Sequence, residues 1–441
     1  MKILFICAAM FCFSGSIVTA QTNVTFTVSG KNIIDPCGNI FIPRGINYSL
    51  LDDWNFPSNL NNGELSSQII QANPNTVRIQ WYADYGQSSR PAYSLSDLDS
   101  VVSRFDRANI VSIVELHDLT GSKDYTEFNN RILSWWLQPE VLQFIHSHKS
   151  HLIVNLANEF GPAMYPPPDY NLDTNYNAEI PAWVSNYKNA ITSMRNAGVT
   201  VPIMIDATNY GIDLNMALNN GATLEDYDPL HNIIISVHGY WNNTLQTMSI
   251  MAGQISQAAF PIILGETGNA DANCDTLFWY NYLLQYCQND HVGWLAWTWN
   301  RDECSIRNMT ANTPGAPTDG QFNTLMPYGA TIVNDTSFGL ATHAVKACFN
   351  NPATGINELT ESDWNFYPNP ATDHINISSA HNIPVEAISV WNINGQKMDN
   401  IFTNKKATVS TTYTGNLSAG IYIIEFADDK GNTYRRKFIK E

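Results

Sequence analysis

Short apolar runs recur along the first three hundred or so positions, and each stops abruptly at a polar or aromatic residue. His151-Leu-Ile-Val-Asn-Leu-Ala-Asn-Glu-Phe160 is one, and Phe260-Pro-Ile-Ile-Leu-Gly-Glu266 is another. A run of this kind is too short for a helix and apolar on both faces. It predicts a buried parallel strand with a polar tip where the chain leaves the core. Further runs at 39–47, 76–81, 110–116, 201–205, 233–237 and 293–299 read the same way. Between them, helical periodicity appears over 95–108, 131–147, 183–197, 247–259 and around 277–287. Gly198 stops the third of these helices, and the Asp residues early in the first suit its dipole. A small hairpin at 25–28 and 32–34 precedes the first strand.

Eight strand candidates, most followed by a helix, fit an α/β fold of the (β/α)8 TIM-barrel type. A doubly wound sheet normally has fewer strands and does not place a polar tip on each one. The tips are Asn47, Trp81, His117, Glu159, Asp206, His238, Glu266 and Trp299. In a barrel they meet at one face, where active sites lie.

Near residue 350 the pattern changes. Residues 351–364 read as a linker. From 365 to 441 short strands at 374–377, 385–392, 420–426 and 433–439 alternate with Asn-Gly, Ala-Gly and Lys-Gly-Asn turns, which predicts a small all-β sandwich. At the other end, residues 1–20 carry Lys2, an apolar core and Val18-Thr19-Ala20, the pattern of a secretory signal peptide. The expected division is therefore a signal at 1–20, a barrel at 21–350, the linker, and the sandwich.

The chain has 441 residues and a formal charge of −17, which speaks against a nucleic-acid partner. Only 14% of residues are charged while 12% are aromatic, a balance that suits an exported protein handling neutral polymers. After the signal, Cys37, Cys274, Cys287, Cys304 and Cys348 remain, an odd number that leaves at least one thiol unpaired or paired between chains. Cys274 follows the seventh strand and Cys304 the eighth, on neighbouring loops. Cys37 precedes the first strand and Cys348 ends the last helix, near the opposite face. The expected pairs are Cys274–Cys304 and Cys37–Cys348, with Cys287 free. No CxxC spacing supports zinc. The cluster His146-Ser-His-Lys-Ser-His151 falls at the wrong end of a strand for the site and reads as a polar turn, so no metal is expected.

Two carboxylates at the tops of two strands, Glu159 and Glu266, are what retaining glycoside hydrolysis requires. The ordered set Arg78, His117, Asn158-Glu159, His238 with Tyr240, Glu266 and Trp297 resembles glycoside hydrolase family 5 of clan A. Val114-Glu-Leu-His-Asp-Leu-Thr-Gly121, Asn155-Leu-Ala-Asn-Glu-Phe160 and Gly293-Trp-Leu-Ala-Trp-Thr-Trp299 are similar to stretches of bacterial endo-β-1,4-mannanases of that family. The resemblance covers roughly residues 22–350. It implies Glu159 as acid/base and Glu266 as nucleophile, with Asn158 on the sugar 2-hydroxyl. It implies that Tyr240 and Arg78 hold Glu266 ionised and aimed, that His238 supports the acid/base, and that Trp297 stacks under the sugar beside the scissile bond. His117 belongs to the same set, though a structural histidine is an alternative for it. Strand alternation puts Trp297 and Trp299 on one face and leaves Trp294 as packing. Asp206 reads as a residue that positions a loop. The chemistry calls for no cofactor.

The loop Tyr48-Ser-Leu-Leu-Asp-Asp-Trp54 and Thr267 after the nucleophile depart from the mannanase pattern, so the substrate is less firmly marked than the chemistry. Expected is a monomeric endo-acting hydrolase of β-mannan or glucomannan; a β-1,4-glucanase and a non-catalytic carbohydrate-binding surface protein are the alternatives. Tyr367-Pro-Asn-Pro, Asn392-Ile-Asn-Gly395, Leu417-Ser-Ala-Gly-Ile-Tyr422 and the basic end of the chain resemble the C-terminal sorting domain of type IX secretion in Bacteroidetes. That implies a secretion-machinery partner and an extracellular or outer-membrane-surface location. A carbohydrate-binding module is the alternative for this sandwich.

Overall fold

The alternation of apolar strand and helix closes on itself. The computed structural model describes residues 25–349 and 364–441, apart from 52–58, 61–63, 85–92, 167–168, 242–243, 272–273, 275–276, 380–384, 393–397, 399–402, 405–408 and 429–432. The proposed signal and residues 351–363 of the proposed linker lie outside the described residues; Trp364, expected as the linker's last residue, opens a strand. The chain divides into two compact units, Met1–Phe349 and Asn350–Glu441. In the first, eight parallel strands form a closed barrel: β1 (Arg44–Tyr48), β2 (Thr76–Trp81), β3 (Val111–Leu116), β4 (Leu152–Asn155), β5 (Ile203–Asp206), β6 (Ile233–His238), β7 (Ile262–Thr267) and β8 (Trp294–Ala296). Trp294 pairs with Arg44 to close the ring. All eight are buried along their length, which is why their sequences are apolar on both faces.

Side chains on a strand alternate between the barrel interior and the helix layer. Ile113, Ile153, Met204, Ile234, Ile263 and Leu295 cluster inside, joined by Ile33 and Phe41 of a small three-stranded sheet and by Phe26 just before it. Two positions further along their strands, Glu115, Asn155 and Asp206 are fully buried and bonded around one arginine, Arg78. The interior thus changes from apolar to ionic in one step up the strands. β7 joins this layer through an irregularity: its register against β6 shifts between Leu264 and Glu266, a bulge that turns Glu266 inward. Gly265 sits in it, where a Cβ would lie 2.1 Å from Ser236 Oγ, so no larger residue fits.

Several helices differ from expectation. The stretch expected as one helix over 131–147 is a wide turn (Phe128–Leu133), a single helical turn (Ser134–Trp136) and a separate helix, Pro139–His148. Pro139 takes the first position of that helix, where its missing N–H costs nothing. The helix expected from Trp183 starts earlier and spans Tyr176–Asn196, carrying Pro181 inside it. The helix expected around 277 runs Tyr280–Asn289. The last helix, Leu340–His343, ends before Cys348, which follows in irregular chain.

Cys37 and Cys348 are joined, with their Cα atoms 5.6 Å apart and 311 residues between them. Asp35 accepts the backbone N–H groups of both. This clasp lies at the N-terminal ends of the strands, away from the polar tips. Closing so long a loop restricts the unfolded chain, so replacing both cysteines by serine is expected to lower stability by about 2–4 kcal/mol. Denaturant unfolding would read that loss. Cys274 is joined to Cys304, and Cys287 is free and buried.

The second unit has two antiparallel sheets. One contains Trp364–Tyr367, His374–Ser379, Val409–Tyr413 and Thr403–Asn404, and the other Val385–Asn392, Gly420–Asp428 and Thr433–Lys440. Ile375, Ile377, Val390, Ile424, Phe426 and Phe438 form its core. This is an all-β architecture of alternating strands, as the turn-punctuated sequence predicts.

Candidate active site

The polar layer of the barrel is built around Arg78 on β2. Its Nη1 donates to Glu266 Oε1 at 2.8 Å, its Nη2 to Asn158 Oδ1 at 2.7 Å and to Asp206 Oδ2 at 3.2 Å, and its Nε to Asn155 Oδ1 at 2.9 Å. Glu115 lies 3.7 Å away. Burial works against the guanidinium charge, but the carboxylates of Glu115, Asp206 and Glu266 outweigh it and hold the group protonated beyond its ordinary range. Arg78 is therefore a fixed cation whose fork orients a carboxylate and an amide at once.

Glu266, near the end of β7, receives two donors. Arg78 takes Oε1, and the Tyr240 hydroxyl donates to Oε2 at 2.9 Å. Burial and the nearby Glu266 charge push the Tyr240 phenol well above its usual value, so it stays a donor. Both bonds are directed at the carboxylate anion.

Glu159 follows β4 in the left-handed backbone region, at φ 48°, and its N–H donates to Asp206 Oδ2 at 3.0 Å. That bond fixes the turn, and Asp206 is where loop positioning and charge meet. Burial would raise its carboxyl, yet His238 and Arg78 pull it well below the ordinary range. His238 Nδ1 and Glu159 Oε1 lie 2.6 Å apart. Burial disfavours a charged His238 ring, but the carboxylates of Glu266 and Asp206 outweigh this and raise it to about 10. The Glu159 carboxyl is raised, chiefly by burial and further by the Glu266 charge, with His238 opposing. One carboxylate oxygen from each glutamate and a His238 nitrogen fall within 4.8 Å of one another. All three could in principle offer atoms to a cation, but His238 Nδ1 and both Glu266 oxygens already have protein partners.

His117 and Asn158 complete one wall. His117 Nδ1 lies 2.8 Å from Glu115 Oε1, and its ring is stacked on Trp297 with centroids 6.1 Å apart. Burial lowers the His117 ring, but Glu115 outweighs it and raises it above its ordinary value. Asn158 Nδ2 donates to Thr120 Oγ1 at 3.0 Å and lies 3.4 Å from His117 Nε2. Gln80, His117, Asn158, Glu159, Tyr240, Glu266 and Trp297 all open onto one cleft of about 500 Å³.

Trp299, expected beside Trp297, is elsewhere. β8 ends at Ala296, so strand alternation does not continue to residue 299. Trp299 is fully buried in the core and donates its indole N–H to Gly320 O at 2.9 Å. Trp294 is also fully buried. The residues that sequence reasoning missed are Glu115 and Asn155 within strands, and Asp302 and Arg307 after β8. Counting back in twos from the polar tips would have found the first pair. The histidine cluster is structural: His148 sits between Asp99 (3.0 Å) and Asp106 (2.5 Å), and His151 stacks on Phe349 at 3.6 Å.

The sequence pattern of cellulases, glycosyl hydrolase family 5, matches residues 34–303. The chain belongs to this family. A mannan endo-1,4-beta-mannosidase of Cellvibrio japonicus (strain Ueda107) is 25% identical over 328 residues, 73% of this chain and 68% of that one. A mannan endo-1,4-beta-mannosidase of Salipaludibacillus agaradhaerens is 25% identical over 320 residues, 71% of this chain and 94% of that one. Among solved structures, the catalytic domain of a mannanase from Streptomyces sp. SirexAA-E superposes with a TM-score of 0.60 at 19% identity, over 77% of this chain and 98% of that one. It shows the shared barrel. Residues 365–441 match the secretion system C-terminal sorting domain, so the family 5 barrel carries a type IX export tail directing it to the extracellular or cell-surface side. No helix among the described residues is long and apolar enough to cross a membrane.

Proposed function

We propose that the protein is an exported retaining endo-β-1,4-mannanase, with Glu266 as nucleophile and Glu159 as acid/base. The observation that carries the mechanism is the close approach of the two carboxyl groups, whose nearest oxygens lie within 4.8 Å and which share His238 Nδ1 at 2.6 and 3.6 Å. A retaining pair lies roughly 5–5.5 Å apart, whereas an inverting pair leaves room for a water at about 6.5–9.5 Å. In the first step a Glu266 oxygen bonds to the anomeric carbon. The glycosidic C–O bond breaks, and Glu159 gives its proton to the departing oxygen. In the second step Glu159 takes a proton from water, the water oxygen bonds to the anomeric carbon, and the Glu266 ester breaks. Two inversions restore the starting configuration.

The protein environment supports this division of roles. Arg78 and Tyr240 both donate to Glu266 and aim it, while burial and the neighbouring negative charge favour a protonated Glu159. Asn158, held through its carbonyl by Arg78, lines the cleft and is the residue assigned to a sugar hydroxyl. The Trp297 face, in the same cleft, is the stacking platform for the sugar beside the scissile bond. Mannan as substrate rests on the two mannanase relatives. The sorting domain either is removed after export or keeps the enzyme on the cell surface.

The test is reducing-sugar release from linear β-mannan, glucomannan and soluble cellulose. Cleavage of mannan and glucomannan is expected. Cleavage of cellulose alone would keep the mechanism and assign a glucanase. No cleavage of any of the three by folded protein would point to another hemicellulose or to a binding protein.

A further inference from the structure

The short segment after β8 contains a carboxylate with no role in the two-glutamate chemistry, yet it is tied to the stacking platform. Asp302 is 6% exposed and lines the cleft. Its Oδ2 accepts the indole N–H of Trp297 at 2.5 Å. Its Oδ1 accepts Nε and Nη2 of Arg307 at 3.0 and 2.8 Å, and the backbone N–H of Cys304 at 2.7 Å. Its own backbone is held at both ends by Asn308, whose Oδ1 accepts the Asp302 N–H at 2.9 Å and whose Nδ2 donates to the Asp302 carbonyl at 3.0 Å. Two residues on, Cys304 is bonded to Cys274 of the loop after β7.

We propose that Asp302 is a positioning residue for the reaction, setting the plane of the Trp297 ring through the indole N–H; this rests on Trp297 being the sugar platform. An aromatic platform works only if its face is presented at the right tilt. Trp297 follows the last residue of β8, so the strand does not fix its ring. His117 limits the ring on one side, with an interplanar angle of 18°. Swing about the Cβ–Cγ bond, which tilts the ring away from His117, remains, and a hydrogen bond at the ring edge removes it. A charged acceptor makes that bond about twice as strong as a neutral one. Arg307 and the Cys304 N–H occupy the other oxygen, so the carboxylate cannot turn away from the indole. The disulfide anchors this assembly to the loop beside the nucleophile. The segment is thus a brace between Glu266's loop and the platform facing it.

The rival reading is that Asp302 merely neutralises Arg307. A double-mutant cycle separates the two, run on whichever polysaccharide the wild type cleaves, so a wrong substrate assignment does not affect it. Asp302→Ala is expected to lower kcat/KM by about 10²-fold, the scale of a misplaced positioning contact. Trp297→Phe keeps a ring but has no N–H; in that background Asp302→Ala should change kcat/KM by no more than about twofold. Asp302→Asn has one oxygen for four donors, and the Arg307 and Cys304 N–H groups claim it, so its NH2 faces the indole and the loss should approach that of the alanine variant. Equal losses from Asp302→Ala in both backgrounds would overturn the proposal, as would an Asp302→Asn variant as active as the wild type. If the alanine variant does not fold, Asp302→Asn takes its place in the cycle: a loss that vanishes with Trp297→Phe supports the indole role, and one that persists refutes it.

Discussion

Glu266→Ala should fold normally and lose roughly 10⁴-fold or more in kcat, the scale on which an enzyme loses its covalent nucleophile. Folding should survive because Arg78, one of the two donors that lose a partner, keeps Asp206 at 3.2 Å and the buried Glu115 at 3.7 Å, and Tyr240, the other, lines the cleft. The shortened side chain opens a space on the face of the sugar from which the carboxylate attacked. A small anion such as azide can enter there. With a sugar donor carrying a good leaving group, azide should restore turnover and give a glycosyl azide of inverted, α configuration. Product configuration by NMR reads this out. If Glu266 were only a strand-end carboxylate, the variant would retain activity. If it were the acid/base instead, the rescued azide would be β.

What made this residue legible was its place at the tip of an apolar run, and the same holds for Glu159 and His238. A polar group at the end of a buried strand must either pair or work, and eight such tips in order imply a common face. Glu115 and Asn155 were missed for the complementary reason. A single polar residue inside an apolar run looks like an ordinary solvent-facing position unless its register with the polar tip is counted, and the closed barrel shows both gathered on Arg78. The helix Leu214–Glu225 was hidden by Asn219-Asn220-Gly221, which reads as a turn. Gly221 is there for packing: a Cβ would lie 2.1 Å from the Phe260 ring. Trp299 was misplaced because alternation was extended past the end of β8. The brace at Asp302 had no periodic signal at all, since it is irregular chain held by side-chain bonds and a disulfide.

The polar interior and the two glutamates are one electrostatic unit. Arg78, anchored by Asp206, Glu115 and Asn155, carries positive charge to Glu266 while leaving Glu159 beyond its direct reach; no Arg78 hydrogen bond goes to Glu159 among the described contacts. His238 faces Glu159 at 2.6 Å and Glu266 at 3.6 Å. Two chemically identical carboxyl groups are thus set apart by their surroundings, Glu266 between two donors and Glu159 buried against His238, the contrast on which the proposed division of roles rests.

That separation sets the second large effect. Glu159→Ala should cut kcat on polysaccharide by about 10²–10⁴-fold, the range that general acid–base assistance contributes. The loss should depend on the leaving group. A sugar alcohol cannot depart without a proton, so polysaccharide cleavage collapses at the first step. An activated aryl leaving group departs unaided, so the first step survives, the glycosyl-enzyme accumulates, and a burst of phenol precedes slow turnover. Azide should accelerate that second step and yield the β product, the opposite of the Glu266 variant. The wild-type pH profile follows from the same carboxyl. Glu159 must be protonated to act, so activity is present below its folded pKa and falls as pH rises through it. Burial raises that pKa, which moves the alkaline limb of kcat/KM above the ordinary glutamate range. His238, raised to about 10, stays cationic across the neutral range and does not supply that limb. In Glu159→Ala, assayed with an activated substrate, the alkaline limb should disappear. A limb that persists unchanged in this variant would place the acid on another residue.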